Sequence, residues 1–167
     1  MRKINRELFE ELLNKAEKNI RKRTNLNFHK SFKEKVQRLL NVMKKDTYIR
    51  PHYHPLRYRW EVFIILRGRV LVVEYKKDGK IKDFTILDEK GEVKAVELES
   101  GIYHSIIPLK DSVLYELKPG PYIEEKDKVF APWAPEEKNR KDGLNFNKEV
   151  LKKLKRARAD LNRRSPA

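Results

Sequence analysis

The chain has 167 residues, enough for one well-buried domain with short appendages and too few for two comfortable ones. It has no cysteine, which excludes disulfides, thiolate metal sites and cysteine nucleophiles. The net charge of +15 sits on the flanks: residues 1–50 hold 15 Lys/Arg against 6 Asp/Glu, residues 51–135 hold 14 against 14, and residues 136–167 hold 11 against 5.

No run of about 18 apolar residues occurs, so no transmembrane segment is expected. The first residues are charged at every turn and include Glu7, Glu10, Glu11 and Glu17. They read neither as a secretory signal nor as a mitochondrial presequence, and the expected compartment is the cytoplasm. Ile4, Leu8, Phe9, Leu12, Leu13, Ala16 and Ile20 recur at helical spacing, which predicts an amphipathic helix over residues 1–23 packed on the outside of the domain. From residue 24 the period shortens. The runs 36–43, 47–54, 61–77, 82–88, 93–100, 102–109 and 112–118 are β-branched or aromatic, and turn signals such as Asp78-Gly79 and Lys110-Asp111-Ser112 separate them. Seven short strands with no helical pattern between them predict an all-β sandwich or barrel over residues 24–135. Its last part is an irregular strap carrying Pro119, Pro121, Pro132 and Pro135, pinned by Phe130 and Trp133. Residues 136–167 read as a basic helix or tail with a weak apolar face of Val150, Leu151, Leu154 and Leu161.

The chain has four histidines, His29, His52, His54 and His104. Side chains two apart on a strand share a face, so His52 and His54 converge as two ligands of one metal must. The same parity puts Tyr48 and Arg50 on that face. Glu61 opens the next run, and His104 lies on a later one. Arg50 is then a candidate anchor, because a guanidinium grips a carboxylate or phosphate through two parallel hydrogen bonds. The competing reading is a salt bridge at the barrel rim. His29 is the candidate acid or base, since its pKa lies nearest neutrality, against a purely structural histidine. Glu116 and Lys118 share a face of the last run, whose direction parity leaves open.

These residues carry a resemblance. His52-Tyr53-His54, Glu61, Gly68 and then Gly101-Ile102-Tyr103-His104 resemble the two metal-binding motifs of cupins, with departures at Asp46, Glu99 and Pro108 and a six-residue gap before Glu61. Arg23–His29, Val36–Asn41, Tyr48–Pro55, Trp60–Phe63 and the segment from Gly120 to Pro135 are similar to the WbuC-type cupin-fold metalloproteins. That resemblance implies a double-stranded β-helix or jelly-roll barrel with an N-terminal amphipathic helix. It also implies one divalent metal, Fe, Mn, Ni or Zn, on His52, His54, Glu61 and His104, and a setting in O-antigen or exopolysaccharide metabolism. The expected function is a metal-binding cupin that acts on or binds a small anionic or sugar-derived molecule, with isomerase, lyase and oxygenase chemistry all open. The alternatives are a non-catalytic ligand-binding protein and a nucleic-acid binder using the basic flanks. A homodimer is among the open assemblies.

Overall fold

The computed structural model describes residues 1–164, with side chains to Arg156. Ten strands and three helices follow one another as α1 (Arg6–Lys18), β1 (Arg23–Asn27), β2 (Val36–Met43), β3 (His52–Tyr53), β4 (Glu61–Arg67), β5 (Arg69–Tyr75), β6 (Ile81–Asp88), β7 (Ala95–Leu98), β8 (Tyr103–Pro108), β9 (Ser112–Pro119), α2 (Glu124–Asp127), β10 (Val129–Phe130) and α3 (Arg140–Arg164). They make two antiparallel five-stranded sheets, ordered β1-β2-β9-β4-β7 and β10-β3-β8-β5-β6.

The expected all-β body is present, with more strands than the seven runs suggested. The run 61–77 divides at Gly68, where the chain leaves the first sheet as β4 and enters the second as β5. Gly68 has φ +84, and a Cβ there would stand 2.2 Å from the Asp111 carbonyl oxygen. The corner therefore needs glycine on both conformational and steric grounds. Gly68→Ala should lower stability by about 1–3 kcal/mol, the usual range for a strained backbone position. A denaturant midpoint equal to that of the parent would show that the corner can shift without cost. β1 and β10 escaped the sequence reading because one is polar and the other is two residues long.

Packing is layered. Between the sheets lies an apolar cluster that includes Met43, Phe63, Ile65, Val72, Ile106 and Leu114. Outside the first sheet, α1 sets Leu12, Leu13 and Ala16 on Leu40, Val42 and Val113. The helix is shorter than the expected 1–23. Asn5 caps it by accepting the Leu8 N–H at 3.1 Å, and Asn19 ends it in an extended conformation. Ile4 and Ile20 consequently lie outside it, 39% and 86% exposed.

Outside the second sheet, Val150, Leu151 and Leu154 of α3 pack with Trp133 and Phe146 on Leu71, Val73 and Ile107. That cover explains why the apolar run Val70–Val73 does not alternate: both faces of β5 are buried. Leu161, expected on the same helix face, lies outside the residues whose side chains are described. Among the described residues, no helix is long and apolar enough to cross a membrane.

Candidate metal centre

One end of the space between the sheets is polar and open, a cavity of about 480 Å³. The histidines come from the second sheet and its margin, and the carboxylate from the first. His52 and His104 are directly opposed across β3 and β8, His54 follows β3, and Glu61 starts β4. Parity brings them together as expected: one potential ligand atom from each of His52, His54, Glu61 and His104 lies within 4.8 Å of all the others, and all four residues are buried.

The second nitrogen of each ring decides what the first can do. His52 Nδ1 donates to the Arg50 carbonyl at 2.9 Å, His104 Nδ1 to the Ile102 carbonyl at 3.0 Å, and His54 Nδ1 to the Asp127 carbonyl. A carbonyl can only accept, so each Nδ1 carries the ring proton and each neutral ring turns a lone pair on Nε2 toward the centre. His54 Nε2 and His104 Nε2 have no aligned hydrogen-bond partner, yet they stand 3.0 and 3.1 Å from the two oxygens of Glu61. Lone pairs converging on buried carboxylate oxygens repel unless a cation holds them, so the four residues fit a divalent metal ion. Burial, followed by the positive charge of neighbouring groups, pushes His52 well below its ordinary pKa, which keeps the ring in the neutral form a metal requires. Burial opposes ionisation of Glu61, and the Lys118 ammonium, 3.5 Å away, acts in the other direction and favours the carboxylate. Three nitrogens and one oxygen without sulfur suit Fe(II), Mn(II), Ni(II) or Zn(II).

Around this set lies a charged network that the sequence did not reveal. Lys118 Nζ is 3.5 Å from Glu61, 3.7 Å from Glu116 and 3.5 Å from Asp127. Both Glu116 and Lys118 thus face inward, which answers the question parity left open. Burial works against the Lys118 charge, and the three carboxylates outweigh it and raise its pKa. Asp127, in the strap, also accepts from Arg59 Nη1 at 3.0 Å, and Arg59 is 1% exposed. Burial and then the charge of Glu61 push the Glu116 carboxyl up, while Asn41 Nδ2 donates to it at 3.0 Å.

The two remaining candidates fall differently. His29 lines the cavity. Residues 47–51 lie outside any strand, so the strict alternation that put Tyr48 and Arg50 beside His52 does not operate there. Ile49 lines the cavity instead. Tyr48 is buried with its hydroxyl on the Pro135 carbonyl, and Arg50 Nη2 donates to the Ala131 carbonyl at 2.9 Å while its guanidinium lies 5.2 Å from the Phe130 ring centre.

Two solved structures resemble this architecture. One is a salicylate 1,2-dioxygenase variant from Pseudoaminobacter salicylatoxidans in complex with gentisate, with TM-score 0.57 and 11% identity over 77% of this chain and 37% of that one. The other is the capsular polysaccharide assembling protein CapF from Staphylococcus aureus, with TM-score 0.54 and 17% identity over 67% of this chain and 30% of that one. This chain spans about a third of the length of those structures, and the likeness is one of fold, the cupin fold. No curated protein matches its sequence. The family model described as "Domain of unknown function (DUF6016)" matches residues 4–87, a stretch that runs from α1 into β6 and contains His52, His54 and Glu61. With half of its length matched, this cupin-fold chain belongs to the DUF6016 family.

Proposed function

We propose that this protein is a metal-dependent cupin of the WbuC type, which binds one divalent first-row metal on His52, His54, Glu61 and His104 and uses it on a small polar molecule held in the cavity. One observation carries the reading: every ligand histidine spends its Nδ1 proton on a backbone carbonyl and turns its Nε2 to the point where Glu61 also arrives. When bound, the metal supplies Lewis acidity, polarising a carbonyl or hydroxyl oxygen of the ligand. The chain's own residues do the rest. Glu61 neutralises part of the metal charge, Lys118 fixes Glu61, and His29 on the cavity wall is placed to hold or move a proton. The sugar-derived or anionic nature of the ligand and a place in surface-polysaccharide metabolism are part of the proposal.

Protein purified without added metal should contain about one equivalent of a first-row divalent ion. Stripping that ion with a chelator should lower the melting temperature, and restoring it should recover the loss, because an ion that binds only the folded state stabilises that state. Metal content near zero, with no thermal response to Fe(II), Mn(II), Ni(II) or Zn(II), would remove the basis of this function.

A further inference from the structure

The metal set occupies one side of the cavity, and the opposite side, formed by β1 and β2, has a chemistry of its own. Asn25 and Asn41 stand directly opposite each other in the ladder, and Asn27 and Gln37 line the same cavity. Farther along the same inter-sheet space the lining is apolar, with Met43, Phe63 and Leu114. A polar barrel interior is costly unless something bonds to it.

Two atoms on this wall have nothing bonded to them. Asn41 Oδ1 is buried without a partner, its Nδ2 being spent on Glu116. His29 Nε2 is buried without a partner too. His29 Nδ1 lies 3.1 Å from both the Arg38 N–H, which can donate to it, and the Arg38 carbonyl, which can accept from it. His29 Nε2 is thus a donor in one ring tautomer and an acceptor in the other. The wall thus offers one orphan acceptor and one orphan ring nitrogen, and a hydroxyl, which both donates and accepts, satisfies either.

The mouth adds an apolar element. Phe32 and Tyr122 line the cavity, their ring centres 5.1 Å apart, with His29 5.7 Å from Phe32, and Phe32 is 55% exposed. Water alone would satisfy the two orphan atoms but gives no role to an exposed phenylalanine. Charge narrows the choice further. Within the depth of the cavity the cations are matched: Lys118 by three carboxylates, and Arg23 by a two-oxygen grip on Glu137 at 2.7 and 2.8 Å. Lys128 and Arg21 are exposed at its margin. The deep wall is therefore built for hydroxyls and not for a carboxylate or phosphate.

We infer that the β1–β2 wall is a carbohydrate subsite: an uncharged sugar ring places hydroxyls on Asn41, Asn25 and His29 and its apolar C–H face against Phe32 and Tyr122, with another of its oxygens directed to the metal. The inference rests on the metal-centre reading for that last contact only. A cavity of about 480 Å³ falls within the range of small-molecule sites, roughly 300–1,000 Å³.

The test is calorimetric titration of the full-length, metal-replete protein with D-glucose, D-galactose, L-fucose and N-acetyl-D-glucosamine, and with succinate and inorganic phosphate as anionic probes. At least one neutral sugar should bind, and more tightly than either anion. Asn41→Leu and His29→Phe should each weaken that sugar about 10-fold, the effect of losing one or two hydrogen bonds. Asn25→Leu and Phe32→Ala change exposed residues, so they test the same wall in a folded protein, with a several-fold loss expected from each. All four variants should retain the parent's metal content. Binding of no sugar, tighter binding of the anions, or sugar binding indifferent to Asn25→Leu and Phe32→Ala would overturn the subsite. A sugar bound by a metal-free protein, and weakened by those same variants, would sustain the subsite while the metal-dependent reading fell.

Discussion

Replacing Glu61 with alanine should abolish stoichiometric metal binding. Glu61 is 3% exposed and reaches two of the three histidines from the opposite sheet, so it is the strut that closes the set across the barrel. Without it the site keeps three neutral imidazoles and loses its only negative ligand. Metal affinity should fall by more than about 100-fold, beyond the loss expected when a supporting residue is changed. The same substitution takes one of three carboxylates from Lys118, which the other two continue to hold. The stability loss measured in chelator should therefore be small beside the loss measured in metal. Glu61→Gln keeps an oxygen and the shape while removing the charge, and should retain weak metal binding. Elemental analysis after gel filtration gives the first quantity, and melting curves with and without chelator give the second. Full metal occupancy in Glu61→Ala would show that the ion, if one binds, sits elsewhere.

Why the ligands were legible while their supports were not comes down to sequence distance. His52 and His54 are two apart, and strand parity is a local rule, so their convergence follows from the sequence once the segment is read as extended. Glu61 and His104 gained their place from the resemblance to the cupin motifs, in which their spacing to Gly68 and Gly101 matches. The parity argument failed for Arg50 because the chain there is held by side chains and not by a ladder: Arg23 Nη1 takes the Tyr48 carbonyl at 2.7 Å, and the Arg50 N–H reaches Glu137. Strand β1 went unread because its inward residues, Asn25 and Asn27, face a polar cavity, while Leu26 is its only large apolar residue, so no hydrophobic alternation appears. Arg59 and Asp127 lie 68 positions apart in stretches with no periodic pattern. Nothing local in either stretch announces a buried ion pair.

Asp127 is the residue through which the strap acts on the metal centre, and its replacement should have the largest effect on folding. Its backbone carbonyl accepts a hydrogen bond from His54 Nδ1, and its carboxylate holds the buried Arg59 at 3.0 Å and the largely buried Lys118 at 3.5 Å. Asp127→Ala leaves Arg59 buried with no carboxylate partner and Lys118 with two of its three. Removing one member of a buried pair costs about 3–5 kcal/mol, because the cost is that of the charge left behind. The alanine keeps the carbonyl, so metal binding should weaken by roughly 10-fold through looser placement of His54, not disappear. Asp127→Asn, which still offers Arg59 an oxygen, should lose less stability than Asp127→Ala. The decisive measurement is the double variant Asp127→Ala with Arg59→Met. If the cost arises from an uncompensated buried cation, removing that cation as well should recover part of the loss, so the double variant should be more stable than the sum of the single losses allows. Losses that simply add would mean that the strap is held by its other contacts, Tyr48 on Pro135 and Arg23 on Glu137, and that the Asp127–Arg59 pair contributes little to closing the site.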